Sequence, residues 1–288
     1  MRPVAIVTDS THYLTRGLIE QAGIVEVSLY VRIGETQERE AQITDYTAFY
    51  QQLRQMSELP STSQPSIGDF TSVYEPLLAS GHDVVSIHLS AGISGTHGAA
   101  VQAKAMLEER GVDGRIEVLD SETVGGGLGL VVLAAAAAAQ AGATLDEVLA
   151  RARQTRADLQ LWFCVDTLEY LQRGGRIGRA EAWLGGALQI KPILSFEAEV
   201  APVERVRTAG RAFERMVDYM RSLFEDGADG WIVQHIQASE KAEALVERGR
   251  ELFGSEPVFV SEVGPVVGTY TGPGLIGVGG VPARLLRA

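Results

Sequence analysis

The feature that most constrains this chain is a unit that recurs along its first half: an apolar run, a cluster of small polar residues, then a helical stretch. Val4-Ala5-Ile6-Val7 leads into Thr8-Asp9-Ser10-Thr11 and a helix at about Thr15 to Ala22. His82 to Leu89 leads through Ser90 to Ser94 into a helix reaching Glu109, and Ile116 to Leu119 leads into Asp120-Ser121-Glu122-Thr123 and the glycines at 125 to 127. Strands joined through helices rather than tight turns run parallel, so this half is predicted to be an α/β domain, a doubly wound and mostly parallel sheet. Ligands of such sheets bind beyond the C-terminal strand ends, where these polar clusters lie.

Other elements fit between these units. Val25 to Ile33 alternates like a strand, Asp45 to Met56 has helical periodicity, and a polar loop from Pro60 to Ser66 precedes a helix at about Ile67 to Ala79. Leu128 to Ala139 is apolar but mostly alanine and too short to span a bilayer, so it is predicted to be a buried helix of thin profile. Near Asp158 the alternation stops. Leu161 to Val165 is a strand, Leu168 to Leu171 a short helix, and Lys191 to Phe196 with Val200 to Val206 a hairpin around Glu197 to Glu199. Helices at about Ala209 to Phe224 and Ser239 to Phe253 flank a strand, Trp231 to His235. The expected organisation is therefore two domains, residues 1–158 and a smaller α+β domain of residues 159–288.

Composition excludes several function classes. With 288 residues, 45% hydrophobic and 22% charged, the chain is ordinary for a globular protein. Its net charge of −12 and pI of about 4.9 argue against nucleic-acid or anionic-membrane surfaces, which need clustered Lys and Arg. Cys164 is the one cysteine, so no internal disulfide is expected, and no paired Cys/His spacing suggests a metal. A reducing cytoplasm suits such a chain, and the opening MRPVAIVTDS lacks the apolar region of a signal peptide. No Gly-x-x-x-x-Gly-Lys-[Ser/Thr] phosphate loop occurs, and Gly125 to Gly129 lacks the Gly-x-Gly-x-x-Gly order, so no cofactor is expected and those glycines are assigned to helix contacts. The five histidines, at 12, 82, 88, 97 and 235, are scattered and receive no role.

Leu89 to Ala100, LSAGISGTHGAA, is the strongest candidate for a site. Ser94 is expected as a helix N-cap, with its hydroxyl and the Gly95 and Thr96 amides offering donors at the positive end of the helix dipole. A carboxylate or phosphate suits that position. The hydroxyls of Ser61, Thr62 and Ser63 form a second donor cluster, and the two clusters are expected to converge on one ligand. Asp9 is assigned first to capping the helix at Thr15 to Ala22. Gly92-Ile93-Ser94-Gly95-Thr96 departs from a nucleophile elbow, because Thr96 replaces its second glycine.

Taken together these motifs resemble the DegV family, whose fatty-acid-binding members include the FakB subunits of a bacterial fatty acid kinase. The resemblance runs nearly end to end: IVTDST at Ile6 to Thr11, TSQPS-x-GDF at Thr62 to Phe70, SGTHGAA at Ser94 to Ala100, VDTLEYLQRGGRIG at Val165 to Gly178, IKPIL at Ile190 to Leu194 and GPG at Gly272 to Gly274. It implies an α/β domain and a smaller domain with a lipid between them, the acyl chain in an apolar tunnel and the carboxylate near the surface. Carried over by motif, Thr62 and Ser94 contact the carboxylate, with Ser63, Gly95 and Thr96 as neighbours and Arg176 close by. Arg207 matches a surface arginine linked in the family to docking on the kinase subunit. The family commonly carries Gly-Thr-His-x-Gly-Pro-Gly near its C-terminus, its His close to the carboxylate. Here the stretch is Gly268-Thr269-Tyr270-Thr271-Gly272-Pro273-Gly274, and Tyr270 donates a hydrogen bond but carries no positive charge at neutral pH.

The function expected is binding of a long-chain fatty acid, whose carboxylate is presented to a separate kinase subunit to yield an acyl-phosphate. The chain is expected to be no enzyme itself, with ATP supplied by that partner. Two readings of other classes stand beside this one: a small-molecule hydrolase using Ser94, and a phosphate- or nucleotide-binding protein using the same helix N-terminus.

Overall fold

The computed structural model describes residues 2–184 and 190–288. The chain opens with β1 (Val4–Asp9), α1 (Arg16–Ala22), β2 (Val25–Val27), β3 (Tyr30–Ile33) and β4 (Thr36–Arg39). It continues through α2 (Tyr46–Gln55), β5 (Ser61–Ser63), α3 (Ile67–Ala79), β6 (Asp83–His88), α4 (Thr96–Glu109) and β7 (Ile116–Asp120). Next come α5 (Gly126–Gln140), α6 (Leu145–Asp158), β8 (Gln160–Cys164), α7 (Glu169–Arg173), β9 (Lys191–Glu197) and β10 (Glu199–Val206). The last elements are α8 (Ala209–Glu225), β11 (Gly230–His235), α9 (Ser239–Phe253), β12 (Phe259–Glu262), α10 (Pro265–Thr271) and β13 (Ile276–Val281).

The recurring units of the first half form one parallel sheet, in the order β2-β1-β6-β7. Helices cover both its faces. On one, Phe70, Tyr74 and Leu78 of α3 and Ala100, Ala103 and Leu107 of α4 bury against Val7 and Val84; on the other lie α1, α5 and α6. Every strand after Asp158 joins a second, mixed sheet, β10-β9-β8-β13-β11-β12, whose outer face packs on α8 and α9 through Met216, Met220, Trp231 and Leu245. The second half is the smaller in residues but carries the wider sheet. Helix α5 lies between the sheets and touches β1 as well as β11 and β13. Its alanines let both approach.

Two segments depart from expectation, and a third that carried none joins a sheet, each for a local reason. The alternating stretch from Val25 to Ile33 breaks at Ser28, because the Leu29 amide donates to Ser10 Oγ and Ser28 Oγ accepts from the Ala41 amide. Side chains replace the ladder there, and the chain leaves the parallel sheet for a small antiparallel one, β4-β3-β5. The expected loop from Pro60 to Ser66 contains β5, which pairs with β3 so that Thr62 faces Val31. Finally, the glycine-rich Ile276–Val281 is β13, set between β8 and β11 in the middle of the second sheet.

The predicted hairpin is β9–β10, with Ala198 in a left-handed turn at φ 63°. Its tip reaches back across to the parallel sheet. Ser90 Oγ donates to the Ala198 carbonyl (2.6 Å), and the Ala198 amide donates to the Glu122 carbonyl (3.0 Å). Gly92 has no side chain because a Cβ there would stand 2.5 Å from the Ala198 oxygen. Gly92→Ala is therefore expected to destabilise the protein by about 1–3 kcal/mol through overpacking, measured by urea denaturation. A loss below about 0.5 kcal/mol would mean that the hairpin tip yields freely.

Candidate functional site

The two hydroxyl clusters do converge. Thr62 is held on β5, and immediately after it Ser66 and Asp69 form a reciprocal cap on α3: the Asp69 amide donates to Ser66 Oγ (3.0 Å) and the Ser66 amide to Asp69 Oδ2 (2.8 Å). Tyr30 and Arg39 also donate to Asp69, which pins this cap to the small sheet. Between cap and strand, Gln64 lies over Gly95, where a Cβ would come within 2.9 Å of its Nε2.

Ser94 is not the N-cap of α4. Gly95, at φ −78° and ψ 2°, takes that position, and the helix begins at Thr96. The Ser94 hydroxyl thus falls one residue too early to reach an N3 amide. It accepts instead from the Thr96 amide (3.2 Å) and bonds Thr96 Oγ1 (2.9 Å), so two of the expected ligand donors satisfy each other. Asp9 likewise caps the short turn Ser10–His12 rather than α1. Burial pushes its carboxyl up, but hydrogen bonds from His88, Thr11 and the Leu89 amide outweigh this and hold it below the usual carboxylate range.

Tyr270, near the end of α10, closes the group. Its hydroxyl is 2.7 Å from Thr62 Oγ1, and the Arg176 guanidinium lies over its ring at 4.8 Å from the centroid. Arg176 also donates to the Gly174 carbonyl (2.8 Å) and is exposed. A cation on an aromatic face needs no carboxylate partner, so its charge stays available to an anion. Thr62, Ser63, Gln64, Ser94, Gly95, Arg176 and Tyr270 line a polar mouth.

This mouth shares Ile93, Arg176, Val267 and Tyr270 with a second, apolar cavity. The second is walled by Leu161, Phe163, Leu171, Phe196, Val200 and Ile232, and it lies on the face of the second sheet turned away from α8 and α9. Of the sequence candidates, Thr96 is buried behind Ser94 and does not line either space. Arg207 is exposed between β10 and α8, away from the mouth lining, with no ion-pair partner among the described residues.

A family model described as an uncharacterised protein of the DegV family matches residues 3–283. The chain belongs to the DegV family. A DegV domain-containing protein of Streptomyces coelicolor is 40% identical over 280 residues, covering 96% of this chain and 98% of that one. Two solved DegV structures described as fatty acid binding are each 34% identical: one from Thermus thermophilus, with TM-score 0.86 over 98% of this chain and 99% of that one, and one from Bacillus subtilis, with TM-score 0.85 over 97% and 99%. The expected α/β class and DegV resemblance therefore hold along the whole chain.

Within this DegV fold the histidines take no part in the mouth. His88 sits in a buried relay: Tyr74 donates to Ser86 Oγ (2.7 Å), Ser86 Oγ meets His88 Nε2 (2.6 Å), and His88 Nδ1 meets Asp9 Oδ2 (3.1 Å). The relay has the order of a hydrolytic triad but Asp9, Ser86 and His88 are sealed from solvent. Ser94 has no histidine partner among the described residues.

What fixes Tyr270 is a carboxylate that sequence reasoning missed. Glu40 is 2% exposed and accepts from Ser10 Oγ (2.5 Å), Tyr13 Oη (2.9 Å) and the Val266 amide in the first turn of α10 (2.7 Å). Tyr13 Oη in turn accepts from the Val267 amide (3.1 Å), so the start of α10 is tied to the first sheet. Burial pushes the Glu40 carboxyl up to about 8, against the pull of its three donors. Unfolded, the group titrates near 4.5, so folding takes up a proton between these values. Its contribution to stability is complete below about pH 4.5 and lost as pH rises through about 8. Glu40→Gln is expected to lose little stability at pH 5 and to gain on the wild type by up to about 1.4 kcal/mol per pH unit towards pH 8, read from denaturation midpoints. Parallel stability–pH curves for the two proteins would refute this titration.

Proposed function

We propose that this DegV protein binds a long-chain fatty acid, tail between the two sheets and carboxylate at the polar mouth. The observation that carries the reading is the join itself: a hydrocarbon-walled cavity shares its wall with a mouth of hydroxyls, an amide and a guanidinium that has no ion-pair partner among the described residues. An amphiphile with one anionic end matches that gradient, since a carboxylate beside apolar walls needs charge-assisted donors, each worth about 1.5–3 kcal/mol. The fatty acid binding of the two solved relatives supports it. A division at residue 158 fits this arrangement, placing the lipid between a head-group-binding part and a part that closes the tunnel.

The finer function follows from where the carboxylate ends. At the mouth it faces solvent beside Arg176, open to a second protein, while this chain carries no phosphate loop. We read the chain as a non-catalytic subunit that orients the carboxylate for a cytoplasmic kinase. A carboxylate oxygen attacks the terminal phosphorus of the kinase's ATP, the bond to ADP breaks, and an acyl-phosphate forms. Arg207, exposed and free of ion pairs among the described residues, is assigned to contact with that partner.

Native mass spectrometry of the protein as purified is expected to show an added mass of a fatty acid of about sixteen to eighteen carbons, each buried CH₂ contributing roughly 0.8 kcal/mol. Ligand-free protein that also ignores added oleate and palmitate would falsify the reading.

At the head group, Thr62→Val, Ser94→Ala and Tyr270→Phe are each expected to weaken binding by about 1 kcal/mol with the fold intact. Arg176→Ala should cost a similar amount, about 1 kcal/mol, because the guanidinium is exposed and screened by water. Titration calorimetry with palmitate reads all four. Unchanged affinity throughout would place the carboxylate elsewhere.

A further inference from the structure

Strand β13 carries three glycines, at 277, 279 and 280, in the middle of the second sheet. They differ in what a side chain would meet. A Cβ at Gly280 would stand 2.7 Å from the Ala228 carbonyl, and one at Gly279 would stand 2.8 Å from Leu161 Cδ1 and 2.9 Å from the Gln160 carbonyl. Both are excluded by close neighbours. At Gly277 the nearest atoms are Phe163 Cβ at 3.3 Å and the Trp162 carbonyl at 3.4 Å, and the residue lines the inner cavity.

The sheet register explains why that position matters. Gly277 pairs with Phe163 on β8 and with Gln234 on β11, so these three make one row across the sheet, and all three line the cavity. Gln234 is held still: its Oε1 accepts from the Gly126 amide and its Nε2 donates to Ser261. The next row is Leu161, Gly279 and Ile232, where Leu161 folds over the glycine and closes the gap. Tyr270 at the mouth precedes Leu275, Gly277 and Gly279 along the chain, so the Gly277 row is crossed first and the Leu161 row lies deeper. Between Phe163 and Gln234 the cavity wall is therefore open at residue 277, which has no side chain to fill it.

Resting on the fatty-acid reading above, we infer that Gly277 sets the length of acyl chain this site accepts, by leaving open the gap through which the far end of the tail passes. Alternating residues of a strand share a face, so a larger residue at 277 points into that gap and shortens the cavity without touching the mouth.

The test uses the full-length delipidated protein, with decanoate, laurate, palmitate and stearate titrated into wild type, Gly277→Ala and Gly277→Val. Gly277→Val is expected to weaken palmitate and stearate by at least about tenfold and decanoate by less than about threefold, with Gly277→Ala shifting the same ratio by a smaller factor. Should the valine variant fail to fold, the alanine variant decides: an unchanged ratio of stearate to decanoate affinity overturns the inference. Equal loss for all four acids in a folded variant overturns it as well. Wild type that binds none of the four overturns the fatty-acid reading, and this inference with it, which separates the two failures.

Discussion

An apolar space inside a protein stays open only against the dispersion and solvent forces that favour close contact, because its lining atoms lack partners on one side. Much of this structure holds that space open. The two sheets are kept apart by α5 on one side and are bridged by the β9–β10 tip on another, where Ser90 and Glu122 fix Ala198. The alanines of α5 keep the separation small, while Gly277 of β13 leaves room in the cavity wall. A bound hydrocarbon chain supplies the contacts that the lining lacks, so ligand and frame are stabilised together.

The mouth depends on a different kind of frame. Tyr270 is useful only if its hydroxyl stays near Thr62 and its ring under Arg176, yet α10 is a short helix that gains little from its own hydrogen bonds. Glu40 accepts the Val266 amide, Tyr13 accepts the Val267 amide, and Tyr50 donates to the carbonyls of Val263 and Gly264 just before the helix. A fully buried carboxylate thereby positions a side chain at the surface. The phenol that replaces the family's histidine keeps a donor and offers Arg176 an aromatic face, so the positive charge at the mouth rests on one residue.

Much of this was legible in the sequence. Helices with strong periodicity or clear caps, such as Ile67–Ala79 and Ser239–Phe253, lie where their patterns place them, and the polar clusters after β1, β6 and β7 mark the ligand end of the sheet. The six head-group candidates that reach the mouth were readable by motif. What was hidden shares one cause: partners remote in sequence. Glu40 sits in a polar run that looks like surface, and only Ser10, Tyr13 and Val266 reveal it as core. Residues 276 to 281 receive no assignment from the sequence, and only Leu161 and Ala228 show why side chains are barred at Gly279 and Gly280. Ser61 to Ser63 reads as loop because its ladder partner is the distant β3.

The polar mouth also orders events in time. On the proposed reading, an amphiphile enters methyl end first and leaves carboxylate first, since Leu161 and Ile232 wall the apolar cavity and do not line the mouth. Its dissociation is then a withdrawal in which each methylene returns to water in turn, while the carboxylate is the last group to arrive and the first to depart. The protein carries a net charge of −12, which disfavours an approaching anion, and the exposed Arg176 guanidinium at the mouth offers it a local positive charge. On the proposed reading, residence of the tail and reactivity of the head are set by separate parts of the molecule, and the acid is open to chemistry at its exposed end while its tail stays seated.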